Sequence, residues 1–190
     1  QDGYLWFGTE AGLIQYNGTN YNIFDRTFFK ELQISKISVI IEDINKNSLW
    51  LGTFDGYLIH FDYKNKKYKI SQNDIIKNSG SIVQLYYDND ILNIITKKNN
   101  IFSYKNGNIT ELKVSEKYLK LSLISPSKNT DELFLFLNEK YYYILKNQRI
   151  IKSQEYEDVV KSVFIDSRKI KFVSFNTYTK AFDENGKEII

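Results

Sequence analysis

An all-β fold of repeated four-stranded antiparallel sheets is what this sequence predicts, and three observations predict it. First, Asp2-Gly3-Tyr4-Leu5-Trp6-Phe7-Gly8-Thr9-Glu10-Ala11-Gly12-Leu13-Ile14 returns as Asn47-Ser48-Leu49-Trp50-Leu51-Gly52-Thr53-Phe54-Asp55-Gly56-Tyr57-Leu58-Ile59, with Trp6 and Trp50, and Gly8 and Gly52, both 44 positions apart. Self-similarity at a fixed period of this length marks a stacked repeat. Second, Asn17-Gly18, Asn106-Gly107 and Asn185-Gly186 fall at one place within the period. Asn-Gly suits a two-residue type I′ hairpin, because both central residues need positive φ. Third, aromatic residues make up 16% of the chain, mostly Tyr and Phe, and there is a single proline, Pro126. Aromatic side chains fit a pleated, half-buried surface, and few apolar residues recur at helical spacing.

The repeats run over approximately 1–25, 36–71, 81–112, 119–152 and 159–190. The first lacks its inner strand, because the chain opens just before its second. The second repeat shows the full layout, with strands expected at 36–43, 48–53, 57–62 and 67–71. The third keeps the threonine of the motif in Ile91-Leu92-Asn93-Ile94-Ile95-Thr96 and continues with Asn100-Ile101-Phe102-Ser103-Tyr104. The fourth carries Glu132-Leu133-Phe134-Leu135-Phe136 and Tyr141-Tyr142-Tyr143-Ile144-Leu145, and the fifth Lys169-Ile170-Lys171-Phe172-Val173-Ser174 followed by Tyr178 to Asp183. These three keep the period and lose the tryptophan and the glycines. In each repeat that carries Asn-Gly, the dipeptide falls between the third and fourth strands. Four antiparallel strands per ~40–45 residues is the blade of a β-propeller. The expectation is a single partial propeller domain over residues 1–190, about four to five blades and a fragment of a seven-bladed ring.

Bulk properties close off several functions. Net charge is +3, from 26 basic and 23 acidic side chains spread along the chain, which gives no footprint for nucleic acid or anionic membrane. There is no cysteine, so neither a disulfide framework nor a thiolate metal site is available. Apolar runs such as Leu133–Leu137 fall far short of the ~18 residues that cross a bilayer. A chain that opens on Gln1 and contains no methionine reads as an internal or processed piece of something longer.

The residues Asp2-Gly3-x-Leu5-Trp6-Phe7-Gly8-Thr9-x-x-Gly12-Leu13, with Tyr16-Asn17-Gly18 after them, resemble the two-component regulator propeller repeat. The second copy, led in by Glu42-Asp43 and closed by Phe61-Asp62, looks like the next blade of the same kind. The resemblance is specific over residues 1–62 and architectural over 63–190. It implies the periplasmic or extracellular sensor region of a hybrid two-component or one-component regulator. Such a region is commonly dimeric, commonly detects carbohydrate, and passes its signal to a histidine kinase or a DNA-binding domain, neither of which this chain contains.

The motif residues read as structural. Trp6 and Trp50 are placed to pack between neighbouring blades, since a repeat stacks through its recurring residues. Gly8, Gly12, Gly52 and Gly56 read as tight turns and close backbone approach, in company with Thr9 and Thr53. His60, the sole histidine, reads as a structural or surface residue with no partner at ligand spacing. Asp183-Glu184-Asn185-Gly186 lacks the length and terminal glutamate of a calcium loop. Arg26, Arg149 and Arg168 fall on three different parts of a blade and do not form the arginine cluster of a sialidase propeller. A quinoprotein repeat is resembled by Ala181-Phe182-Asp183 with Gly186-Lys187, but the tryptophan it requires is missing. No catalytic constellation, metal site or cofactor is expected.

For ligand, one face is of interest. Loops joining second to third strands, and those between blades, share a propeller face. That places Glu10, Asp55, Lys97, Lys98, Glu139 and Asn176 together with Arg26, Phe28 and Phe29. The segment Asp25-Arg26-Thr27-Phe28-Phe29-Lys30 is aromatic and charged, and its competing reading is that Phe28 and Phe29 cap the gap between blades. The functional expectation is reception of a small molecule, with an oligosaccharide as the candidate, by a dimeric sensor. The alternative is a scaffold propeller that holds a protein partner and needs no small-molecule pocket.

Overall fold

The computed structural model describes all residues except 1–2, 33–35, 44–45, 72, 89, 113–122, 127–132, 137–139, 147–148 and 190. The fold is all-β and consists of propeller blades. The first sheet comprises β1 (Leu5–Thr9), β2 (Gly12–Tyr16) and β3 (Tyr21–Phe24). The second comprises β4 (Ile37–Asp43), β5 (Ser48–Thr53), β6 (Leu58–Asp62) and β7 (Lys67–Ser71). A single helical turn, α1 (Asp74–Asn78), leads to the third, with β8 (Ile82–Asp88), β9 (Ile91–Thr96), β10 (Ile101–Lys105) and β11 (Asn108–Leu112). The fourth holds β12 (Leu123–Pro126), β13 (Leu133–Phe136), β14 (Tyr142–Lys146) and β15 (Arg149–Lys152), and the last β16 (Ser162–Ile165), β17 (Lys171–Ser174) and β18 (Thr179–Phe182). In every sheet each strand pairs with its neighbours in sequence.

The chain divides into two compact units, Gln1–Leu85 with Asn93–Glu111, and Tyr86–Leu92 with Leu112–Ile190. In the first unit the repeat is visible as a packing rule. Strand alternation puts Trp6, Leu13 and Phe24 on one face of the first sheet, because Gly8 pairs with Leu13 and Leu13 with Phe24. It puts Leu49, Leu51, Ile59 and Phe61 on one face of the second, where Leu49 pairs with Phe61 and Leu51 with Ile59. These two faces form one core with Phe29, Leu32, Ile37 and Tyr63. Such interdigitation removes apolar area from water at about 25 cal/mol per Å².

The connections between sheets seal the core with an apolar plug. In the first, the carboxylate of Asp25 accepts from the backbone N–H of Thr27 (2.8 Å) and from its hydroxyl (2.6 Å), and the Asp25 carbonyl accepts from the N–H groups of Phe28 and Phe29. That turn drives Phe29 fully inside and leaves Phe28 half-buried against Phe24 and Phe61. In the second connection Asn73 caps α1, its side chain accepting from the N–H of Ile75 and Ile76, and Ile76 is the buried residue. In the second unit Tyr156 takes the same role. It packs with Tyr142, Val160, Val163, Val173, Phe175 and Phe182.

The hairpins depart from the expected chemistry. Of the three Asn-Gly pairs, Asn106-Gly107 alone forms a two-residue loop with both residues at positive φ, 51° and 88°. At Asn17-Gly18 the turn is centred one residue later. Gly18 alone has positive φ, and the Asn17 side-chain oxygen accepts from the N–H groups of Thr19 and Asn20. At Asn185-Gly186 the Asp183 carboxylate gathers the N–H groups of Asn185 and Lys187, and again only the glycine has positive φ. A side chain that bonds the backbone ahead of it replaces the I′ geometry. After this wider turn the described residues of the last repeat pair through an isolated bridge from Phe182 to Glu188.

Candidate functional site

The motif residues do their work at sheet ends and between sheets. Trp6 lies 5.5–6.1 Å from the rings of Phe24, Phe61 and Tyr63, so it joins the first sheet to the second. Trp50 lies 4.4 Å from His60 and 4.9 Å from Tyr104, so it joins the second sheet to the third. A Cβ on Gly8 would stand 2.9 Å from Ile37 Cγ2, and one on Gly52 would stand 2.7 Å from Ile82 Cγ2. Both glycines thus let the next inner strand come close, and the Ser38 hydroxyl donates to the carbonyl of Ile82 between the two inner strands. Gly12 and Gly56 have φ of +136° and +85°, and a Cβ on either would run into backbone, at the carbonyls of Phe24 and Gly80.

The motif threonines tie the turns that the ligand face would use. Thr9 donates its hydroxyl to the carbonyl of Gly12 and accepts from the N–H of Ala11. Thr53 donates to the Asp55 carboxylate at 2.6 Å and accepts from the N–H of Tyr57 at 2.8 Å. Thr96, the one motif residue left in the third repeat, places its N–H on the carbonyl of Asn100.

Around these turns the first unit gathers side chains from three sheets. Lys36 pairs with Glu10 and places its ammonium 4.1 Å from the centre of the Phe54 ring. The ion pair holds the Glu10 carboxyl below its ordinary range, through the hydrogen bond first and the charge second. Lys77 sits 4.9 Å over the Tyr57 ring, and Lys98 donates to the carbonyl of Asn78 at 2.8 Å. The Lys97 N–H donates to Ser81, whose hydroxyl donates to the carbonyl of Phe54. Glu10, Asp55, Lys97 and Lys98 therefore lie at turns bound to the inter-sheet connections. Phe54, nearly half exposed, is the open aromatic among them.

The remaining sequence candidates are placed differently. Arg26 is exposed in the first connection. Phe29 is fully buried and Phe28 half-buried, packed 5.0 Å apart and against Tyr68, so the plug occupies the rings that a ligand would need. Asn176 belongs to the second unit, and Glu139 lies outside the described residues. Lys36, Phe54, Tyr57 and Lys77 were not singled out from sequence. The available signal was position: Phe54 follows a motif threonine directly, and Lys36 leads into an inner strand.

His60, read from sequence as a structural or surface residue, meets two polar side chains. Its Nε2 lies 2.7 Å from the Ser48 hydroxyl and 3.9 Å from the Asp43 carboxylate. Ser, His and Asp are the residue types of a nucleophilic triad, but a triad needs the carboxylate on the other ring nitrogen. Here both partners meet Nε2, and Ser48 is only 1% exposed, so no substrate carbonyl reaches it. Among the described residues no group of three or more His, Asp or Glu side chains could hold a metal ion, and no helix is long and apolar enough to cross a membrane.

No protein-family model matches the chain, and no curated protein matches it by sequence. Solved structures do match it in fold. The extracellular domain of a hybrid two-component system of B. thetaiotaomicron is 16% identical with a TM-score of 0.67, over 100% of this chain and 28% of that one. YCF48, bound to a D1 peptide, is 13% identical with a TM-score of 0.73, over 100% of this chain and 65% of that one. Virginiamycin B lyase from Staphylococcus aureus is 10% identical with a TM-score of 0.71, over 100% of this chain and 66% of that one. At such identities the likeness defines the fold class, a β-propeller. The chain spans less than two-thirds of each of these structures.

Proposed function

We propose that this chain is the ligand-facing part of an extracytoplasmic sensor of the two-component type. The observation that carries the reading is the set of turns at one end of the first unit, where Glu10, Lys36, Phe54, Asp55, Tyr57 and Lys77 are fixed by the motif threonines and by ion and cation–π contacts. The sequence resemblance over residues 1–62 supports it, as does the fold likeness to an extracellular two-component domain. On this reading the ligand is a small molecule, an oligosaccharide first of all. The protein works on the periplasmic or extracellular side, as a dimer through its full length, and passes the signal to a kinase or DNA-binding domain. The chain itself catalyses nothing and uses no cofactor. A ligand shifts such an equilibrium only by binding two arrangements unequally.

A second reading, a scaffold that holds a protein partner, is favoured by the likeness to YCF48 with its bound peptide. The two are separated by titration calorimetry of the intact protein with a set of oligosaccharides, beside variants Phe54→Ala and Arg26→Ala. The sensor reading expects a saccharide that binds and loses at least tenfold in affinity to Phe54→Ala. Saccharide binding that neither variant weakens would remove the site from these turns, and no binding at all would favour the scaffold.

A further inference from the structure

The second sheet presents one titratable cluster to the third. Asp43 ends β4, Ser48 and Trp50 lie on β5, and His60 lies on β6, cross-strand from Trp50, with Asp43 paired to Ser48. Alternation puts all four on the same face, the face that meets Tyr104 of β10 through Trp50. The imidazole is tilted 33° to the indole at 4.4 Å and keeps 28% of its side chain exposed, so protons reach it from solvent. The Asp43 carboxylate, 7% exposed, has Lys46 Nζ at 3.5 Å and His60 Nε2 at 3.9 Å. Asp62 on the same strand and Lys69, paired with His60 from β7, complete the charges around the ring.

We propose that His60 is a proton-operated latch on the contact between the second and third sheets. With the ring neutral, Nε2 shares a hydrogen bond with the Ser48 hydroxyl, and the imidazole lies against Trp50. Proton uptake turns Nε2–H into a charged donor facing a buried carboxylate 3.9 Å away. A charge-assisted bond draws up to about 2.7–2.9 Å, so the ring moves from Ser48 towards Asp43. That motion slides the imidazolium across the indole, and Trp50 is the ring that touches Tyr104. Burial opposes proton uptake and outweighs the pull of Asp43, with Lys46 and Lys69 adding to the opposition and Asp62 to the pull, so the latch works on the acid side of the ordinary histidine range.

The test is a pH titration of the intact protein by NMR, following the His60 ring protons, the Trp50 indole N–H and the Tyr104 ring together. His60 is expected to titrate with a midpoint below about 6.5, and the Trp50 and Tyr104 signals to move with that same midpoint. Both movements disappear in His60→Gln. In Asp43→Asn the His60 midpoint falls further and the Tyr104 movement is lost. Trp50 and Tyr104 signals that stay fixed while His60 titrates, or that move unchanged in His60→Gln, would overturn the latch.

Discussion

Replacing Phe29 by alanine separates the two roles that the first connection could have. The ring is 0% exposed and has Phe28 and Tyr68 at 5.0 Å and Phe61 at 5.9 Å. Truncating a core phenylalanine costs about 3–5 kcal/mol, because the transfer energy is lost and the cavity collapses only in part. The ring contacts around Phe29 place this position in the upper half of that range. Domains are stable by about 5–15 kcal/mol, so the variant should lose a large share of the stability of its unit. Both tryptophans belong to the first unit, so urea unfolding followed by tryptophan emission reports that unit. The expected result is a large fall in midpoint with the slope unchanged. Arg26→Ala, three residues earlier and exposed, should stay within about 0.5 kcal/mol. A Phe29→Ala cost below about 1 kcal/mol would refute the plug, and an equal cost for Arg26→Ala would show that the connection is held by something other than its buried rings.

Gly12→Ala combines a φ of +136° with a Cβ that would overlap the carbonyl oxygen of Phe24, and should cost more than about 3 kcal/mol in urea unfolding. Gly107→Ala, which meets open space at φ +88°, should cost only about 1–2 kcal/mol. Asn93 is 1% exposed, and neither carboxamide atom has a hydrogen-bond partner among the described residues. Asn93→Leu should therefore be neutral or stabilising by about 1–2 kcal/mol in thermal or urea unfolding. Because burial holds His60 below its ordinary range, the unfolded chain takes up that proton first. The His60 contribution is present above about pH 6.5 and is lost as pH falls towards the folded value. His60→Gln should flatten that part of the stability–pH profile.

The blade repeat was legible because the information sits in a motif whose parts each have one physical use. Trp6 and Trp50 recur because each fills the space between two sheets, and Gly8 and Gly52 because a side chain there would strike the next inner strand. The second repeat shows how far this reaches: expected strands at 36–43, 48–53, 57–62 and 67–71 meet observed ones at Ile37–Asp43, Ser48–Thr53, Leu58–Asp62 and Lys67–Ser71. The turns were less legible. Asn-Gly names a favourable pair of φ values, but Asn17 and Asp183 spend their side chains on backbone N–H groups ahead of them, and that local bond decides the geometry. The candidate site was least legible. Phe29 and Phe54 look alike in sequence, each an aromatic beside a charged residue, and only packing puts one inside and the other on the surface. His60 acquired its partners from two other strands, at positions 43 and 48, through sheet register.

The proposed function is tested most directly by a thermal-shift screen of the intact protein against oligosaccharides and other small metabolites. A ligand present at about 100 times its dissociation constant adds about 2.7 kcal/mol to stability, well within what such a screen detects. The sensor account predicts a selective rise in melting temperature with one class of ligand, reduced in Phe54→Ala. A flat response across the panel from a well-folded sample would contradict it and leave the protein-holding scaffold as the better account.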